Sequence, residues 1–158
     1  MTQKDDFDLR EFLPYLLNQA AEISSQSFQR IYKGRYGMLR TEWRVLFHLG
    51  YYKEMTASQI CQMADLHKTK VSRAVSALEE KRFIERIWQD NDRRFARLSL
   101  TSKGRSVYDK LCAQAAQFHN DLMADFTSEE QDIFMACLRR IRGMKKRGIK
   151  GLEEKGLF

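Results

Sequence analysis

Lys68-Thr69-Lys70-Val71-Ser72-Arg73-Ala74-Val75-Ser76-Ala77-Leu78-Glu79-Glu80 is the stretch on which the fold turns. It leads into Ile84-Glu85-Arg86-Ile87-Trp88-Gln89, a polar tip Asp90-Asn91-Asp92-Arg93-Arg94, and Phe95-Ala96-Arg97-Leu98-Ser99-Leu100. The first segment has helical periodicity. At about 100° per residue, Val71, Ala74, Val75 and Leu78 fall on one side and predict a buried stripe. Thr69, Arg73, Ser76 and Glu80 fall opposite, with Lys70 and Ala77 beside them. The outward face is therefore small, polar and basic. It suits the floor of a major groove, where short side chains let the backbone approach the base edges. The two segments after it read as strands joined by a turn.

A helix with that face, followed by a basic hairpin, is the pattern of a winged helix-turn-helix, and it points to double-stranded DNA. The hairpin tip can lay an arginine into the minor groove, where narrow A·T stretches concentrate negative potential. Asp92 cannot attract phosphate, but it can hold the Arg94 guanidinium through charge-assisted hydrogen bonds.

Charge distribution agrees. Of a formal net charge of +7, an excess of six lies within residues 67–105, which hold eleven basic and five acidic side chains. A clustered positive field is what counterion release from a polyanion rewards.

Outside the hairpin the chain reads as helix. The first helix is expected over Phe7 to Tyr32, with Pro14 bending it or marking the end of its first turns, and Gly34 and Gly37 breaking it. Thr41 is the expected cap of a second helix through Leu49, ended by Gly50. Thr56-Ala57-Ser58-Gln59 fits a capping box for a short third helix through Met63 or Ala64. The reader helix begins near His67, which can touch phosphate or cap the helix. Thr101 caps a fifth helix in which Val107, Leu111, Ala115, Phe118, Leu122 and Phe126 recur at helical spacing. Thr127-Ser128-Glu129-Glu130 opens a sixth through about Lys146, and Gly148, Gly151 and Gly156 suggest a frayed tail. Phe118, Leu122, Phe126, Ile133, Phe134, Leu138, Ile141 and Met144 exceed what one small lobe can cover, which favours a helical two-subunit interface.

Val71-Ser72-Arg73, Leu78-Glu79-Glu80-Lys81, Ile84-Glu85-Arg86, Asp92-Arg93-Arg94 and Leu98-Ser99-Leu100-Thr101 with Gly104 resemble the MarR (multiple antibiotic resistance regulator) family of bacterial transcription factors. The resemblance covers nearly the whole chain, and the wing is its most specific part. It implies a mainly α fold with a small two- or three-stranded β-wing and an interleaved helical dimerisation layer. Residues 1–40 would form an N-terminal dimerisation helix and linker, 41–104 the DNA-binding lobe, and 105–158 the C-terminal dimerisation helices. It also implies a homodimer on a pseudo-palindromic operator, usually a repressor, released by a small phenolic or carboxylate ligand or by oxidation. The expected DNA contacts are Lys68, Thr69, Lys70, Ser72, Arg73, Ser76, Arg86, Asp92, Arg93 and Arg94. The family's minor-groove Asp-x-Arg pattern maps onto Asp92 and Arg94. One departure is visible: relatives often carry Gly just before the first wing strand, where this chain has Lys81-Arg82-Phe83.

An aromatic-rich region around the second helix is the expected effector site: Tyr36, Met38, Arg40, Trp43, Arg44, Phe47 and His48. An aromatic cleft with one cationic group would suit an aromatic acid, although Trp43 and Phe47, spaced i and i+4, also fit a plain core. Cys61, Cys112 and Cys137 are odd in number and have no paired spacing. They read as buried, unreactive thiols, with oxidation sensing the alternative. No HxxxH or CxxC spacing suggests a metal, and no cofactor is implied. The chain carries no phosphate loop, serine elbow or paired-carboxylate motif, which argues against an enzyme. A ligand-independent architectural DNA binder is the remaining alternative. Met1-Thr2-Gln3-Lys4-Asp5-Asp6 has no apolar run behind its charges, and no segment approaches membrane-span length, so a cytoplasmic protein is expected.

Overall fold

The structure, a computed structural model, describes residues 7–89 and 92–144; the side chains of Gln89 and of residues 92–95 fall outside that description. The expected glycine-rich tail and the end of the sixth helix near Lys146 also lie outside the described residues.

A short 3-10 turn, Leu9–Glu11, precedes α1 (Leu13–Tyr36). Pro14 sits in the first turn of α1, where its missing N–H breaks no helical hydrogen bond, so it opens the helix rather than bending it. Gly34 lies inside α1. The stop is at Gly37, whose φ of 60° is left-handed and whose N–H returns to Lys33. The helix thus runs four residues past the expected end.

The α2 helix (Arg40–Tyr52) differs from expectation at both ends. Its N-cap is Leu39, with no side-chain hydrogen bond, and Thr41 lies within the first turn. Gly50 does not terminate it. A methyl group there would stand 2.2 Å from two ring carbons of Tyr108, so the glycine gives room to a ring packed across the helix. The chain leaves α2 at Lys53 with φ 70°.

A strand that the sequence reading missed follows: β1 (Glu54–Thr56). The α3 helix (Ala57–Ala64) opens with the expected capping box, Gln59 N donating to Thr56 Oγ1 at 3.2 Å and Thr56 N to Gln59 Oε1 at 2.8 Å. Next comes α4 (Lys68–Glu80), with Val71, Ala74, Val75 and Leu78 buried as its phase predicts. The hairpin is β2 (Ile84–Gln89) and β3 (Asp92–Leu100), the second strand starting three residues before the expected Phe95. The sheet is antiparallel in the order β1-β3-β2, with Met55 opposite Leu98 and Arg86 opposite Leu98 on the other side.

Thr101 accepts the Gly104 amide at 3.0 Å and caps α5 (Ser102–Met123). The helix stops before Phe126, the last member of the expected apolar run. The second capping box, Thr127 with Glu130, starts α6 (Ser128–Gly143).

The chain divides into two compact units, Met1–Ala116 and Gln117–Phe158. The core of the first is built from Met38, Val45, Leu46, Leu49, Ile60, Val71, Leu78, Leu98 and Leu111. In the second, Gln131 Nε2 donates to the carbonyls of Met123 and Phe126 and fixes the turn into α6. Leu122, Phe126, Ile133, Phe134 and Met144 are exposed there.

Candidate nucleic-acid interface

The α4 helix starts from His67, whose Nδ1 accepts the Thr69 amide at 3.3 Å. Of the two roles open to His67, the structure shows capping. Lys68, Thr69, Lys70, Ser72, Arg73 and Ser76 are all exposed on the face away from the core. Ser76 Oγ donates to the Ser72 carbonyl at 3.2 Å, which keeps that side chain close to the helix surface.

The far end of α4 is held from several directions. Arg82 takes φ 58°. Its N–H donates to the Glu79 carbonyl at 2.8 Å and the Phe83 N–H to the Leu78 carbonyl at 2.9 Å. This is the Schellman pair of hydrogen bonds, which needs a left-handed residue just past the helix end. Here an arginine rather than a glycine meets that need. Three residues from the start of α5 grip the same turn. Thr101 Oγ1 donates to the Arg82 carbonyl at 2.7 Å, and Lys103 Nζ to the Lys81 carbonyl at 3.1 Å. At Gly104 a methyl group would stand 1.8 Å from the Phe83 carbonyl oxygen, so only glycine admits this approach. On the α2 side, the Lys81 ammonium lies 3.2 Å from buried Glu42 Oε2, an ion pair without hydrogen-bond geometry.

Arg86 meets this framework rather than open solvent alone. Its Nε and Nη2 donate to the two Glu79 oxygens at 2.8 and 3.0 Å. The Glu79 carboxylate raises the guanidinium pKa above its ordinary value. Arg86 therefore joins β2 to α4, a role that the sequence did not disclose. Asp92, Arg93 and Arg94 enter through the backbone of β3, with Asp92 opposite Gln89. Their side chains, and Asp90 and Asn91 altogether, lie outside the described residues.

The expected effector residues separate into three groups. Trp43 and Phe47 join Phe28 and Tyr32 in one ring cluster, Trp43 stacking on Tyr32 at 5.7 Å between centroids and lying 5.5 Å from Phe47. Phe47 also lies 6.2 Å from both His48 and Tyr108. Tyr36 instead packs edge-on to Phe83 at 6.3 Å, and Met38 is wholly buried in the core. The cationic candidates already have partners. Arg40 donates to Glu22 through both terminal nitrogens at 3.1 and 3.2 Å, which lowers the Glu22 pKa with help from Gln26. Arg44 donates to the Ala64 carbonyl, and His48 Nδ1 to the Arg44 carbonyl at 2.7 Å.

The cysteines correct the expectation of burial. Cys61 and Cys112 are half-buried and Cys137 is exposed. The Tyr108 phenol pKa is pushed up to about 12, chiefly by burial and then by the Cys112 thiol. Among the described residues, no group of three His, Cys, Asp or Glu is placed to hold a metal, and no helix is long and apolar enough to cross a membrane.

A helix with an exposed polar and basic face, braced at one end by a three-stranded antiparallel wing, defines a winged helix-turn-helix protein. The MarR family model matches residues 36–94, and the chain is similar to transcriptional regulators. The chain is 25% identical over 127 residues to the HTH-type transcriptional regulator YwoH of Bacillus subtilis, spanning 80% of this chain and 91% of that protein. It is 24% identical over 122 residues to the homoprotocatechuate degradative operon repressor of Escherichia coli, spanning 77% and 82%. A solved MarR/EmrR family regulator from Acinetobacter sp. ADP1 superposes with a TM-score of 0.80 at 25% identity, covering 89% of this chain and 99% of that one.

Proposed function

We propose that the protein is a homodimeric, sequence-specific DNA-binding repressor that works in the cytoplasm and releases its operator on binding a small aromatic acid or phenol. The observation that carries the DNA reading is the exposed row Lys68, Thr69, Lys70, Ser72, Arg73 and Ser76, set opposite a fully buried stripe on the same helix. Lys68 and Lys70 engage phosphate, and Arg73 and Ser76 meet base edges. Arg93 and Arg94 reach the neighbouring minor groove, with Asp92 steadying Arg94. Arg86, tied to Glu79, contributes through the terminal nitrogen that this pair leaves over.

The dimer reading is supported by apolar side chains left in water. In the first unit these include Leu13, Leu16 and Ile23 of α1; in the second they include Leu122, Phe126, Ile133 and Phe134. On this reading residues 1–40 and 105–158 form the dimerisation layer and 41–104 the reading lobe. A repressor role draws support from the relative that represses a degradative operon. The ring cluster around Trp43 and half-exposed Phe47 supports an aromatic effector.

The test is a gel shift with fragmented genomic DNA across a salt series, followed by footprinting. Tight binding that falls steeply with salt is expected, with two half-sites about one helical turn apart. Sedimentation should give a dimer, and a panel of aromatic acids should free the DNA. No salt-sensitive attachment to any duplex would overturn the proposal.

A further inference from the structure

The two tryptophans occupy contrasting settings. Trp43 is enclosed by other rings, whereas Trp88 on the wing strand β2 is 57% exposed, beside Ile87 at 38%. An isolated surface apolar residue needs no explanation. Trp88, however, stands where the hairpin changes register: Ile87 pairs with Arg97 and Gln89 with Asp92, and the shift falls between them. Such irregularities twist a hairpin and re-aim a side chain. In sequence its neighbours include Arg86 two residues before and Arg93 and Arg94 a few residues beyond, with Asp90 and Asp92 between; Arg86 is paired with Glu79. A large exposed indole on a basic finger suits an anionic partner that has apolar faces of its own.

We infer that Trp88 is a DNA-contacting residue of the wing, laying its ring against the sugar edge of the minor groove and its indole N–H toward an acceptor there. The deoxyribose faces supply the apolar surface. Phosphate oxygens, and the A N3 and T O2 acceptors that the minor groove presents, supply partners for the N–H. The inference rests on the duplex-binding function proposed above. It adds a contact that carries no charge, so its energetic signature differs from that of the neighbouring arginines.

The experiment uses full-length protein labelled with fluorotryptophan and a duplex that the protein has selected from a randomised pool. The fluorine resonance lost in Trp88→Phe identifies Trp88. That resonance should shift when duplex is added. Trp88→Ala should weaken binding about tenfold, the scale for withdrawing a few tens of Å² of indole from water. The salt dependence should keep the parental slope, because no cationic side chain is removed from a phosphate. Trp88→Phe should recover part of the loss. An unmoved Trp88 resonance at saturating duplex, or unchanged affinity in Trp88→Ala, overturns the inference while the duplex-binding function stands. A shift that follows protein concentration without DNA also overturns it, and makes the patch a contact between copies. A parental protein that selects no duplex overturns both.

Discussion

Replacing Arg82 by glycine should stabilise the protein, although it removes a long side chain from a turn held by several hydrogen bonds. Arg82 has φ 58°, a conformation in which its Cβ crowds the backbone. For an L-residue the left-handed region costs about 1–2 kcal/mol. Glycine escapes that cost but gives back about 0.5–1 kcal/mol through the greater freedom of its unfolded chain. The net gain is about 0.5–1 kcal/mol. The hydrogen bonds at the turn survive the change, because they use the backbone of residue 82: its N–H to Glu79, and its carbonyl from Thr101 Oγ1. The assay is urea unfolding at fixed protein concentration, since association contributes to stability. The midpoint should rise with an unchanged slope. Arg82→Ala keeps the Cβ and should give no such gain, and Arg82→Asn should fall between. A midpoint that falls in Arg82→Gly would show that the arginine side chain holds the turn more strongly than its backbone strains it, and the reasoning would fail.

Gly104→Ala should destabilise by about 1–3 kcal/mol or more, because the new methyl meets a backbone oxygen rather than a side chain that can swing away; thermal unfolding measures it, and a change below a few tenths would refute the close approach. Arg94→Ala should weaken operator binding sharply while sedimentation still reports the parental association state. Arg73→Ala should relax sequence choice, each good base contact being worth about 1–3 kcal/mol; a uniform loss over all sequences would make Arg73 a phosphate clamp instead. Tyr108 should be a late-ionising phenol. Its folded pKa of about 12 lies above the ordinary value of 10.0, so the stability linked to it is intact below about pH 10 and is lost as pH rises toward 12. Ultraviolet titration of the parent and of Tyr108→Phe should differ by that one step, and a difference centred near pH 10 would contradict the buried setting.

The winged helix-turn-helix was legible in the sequence where periodicity and turn chemistry agree. The α4 stripe repeats over a full thirteen-residue helix, and all four predicted core positions are buried. Both capping boxes formed because each needs only residues three apart. The errors have long-range causes. Gly50 looks like a helix stop, but it accommodates Tyr108, a ring supplied from distant α5. The β1 strand, at three residues, is too short to display a period, and pairing with β3 creates it. Arg82 carries no local sign of a left-handed backbone; the visible clue was the missing glycine. The expected effector residues were least legible, because composition groups Tyr36 and Met38 with Trp43, whereas packing sends one to Phe83 and the other into the core.

The bracing of α4 is one-sided, and this has a mechanical consequence. Its C-terminal end is clamped by Glu42 through Lys81, by Arg86 through Glu79, and by the opening residues of α5. Its N-terminal end, which enters the groove in this class of reader, carries the lighter His67 cap. The helix is a cantilever with its root in the scaffold and, on the proposed DNA reading, its tip toward the bases. On that reading the tip would adapt to local groove shape, while the root would carry any displacement of the start of the α5 stem, to which it is hydrogen-bonded. In a two-headed assembly, the distance between stems would then act as the control knob for operator affinity.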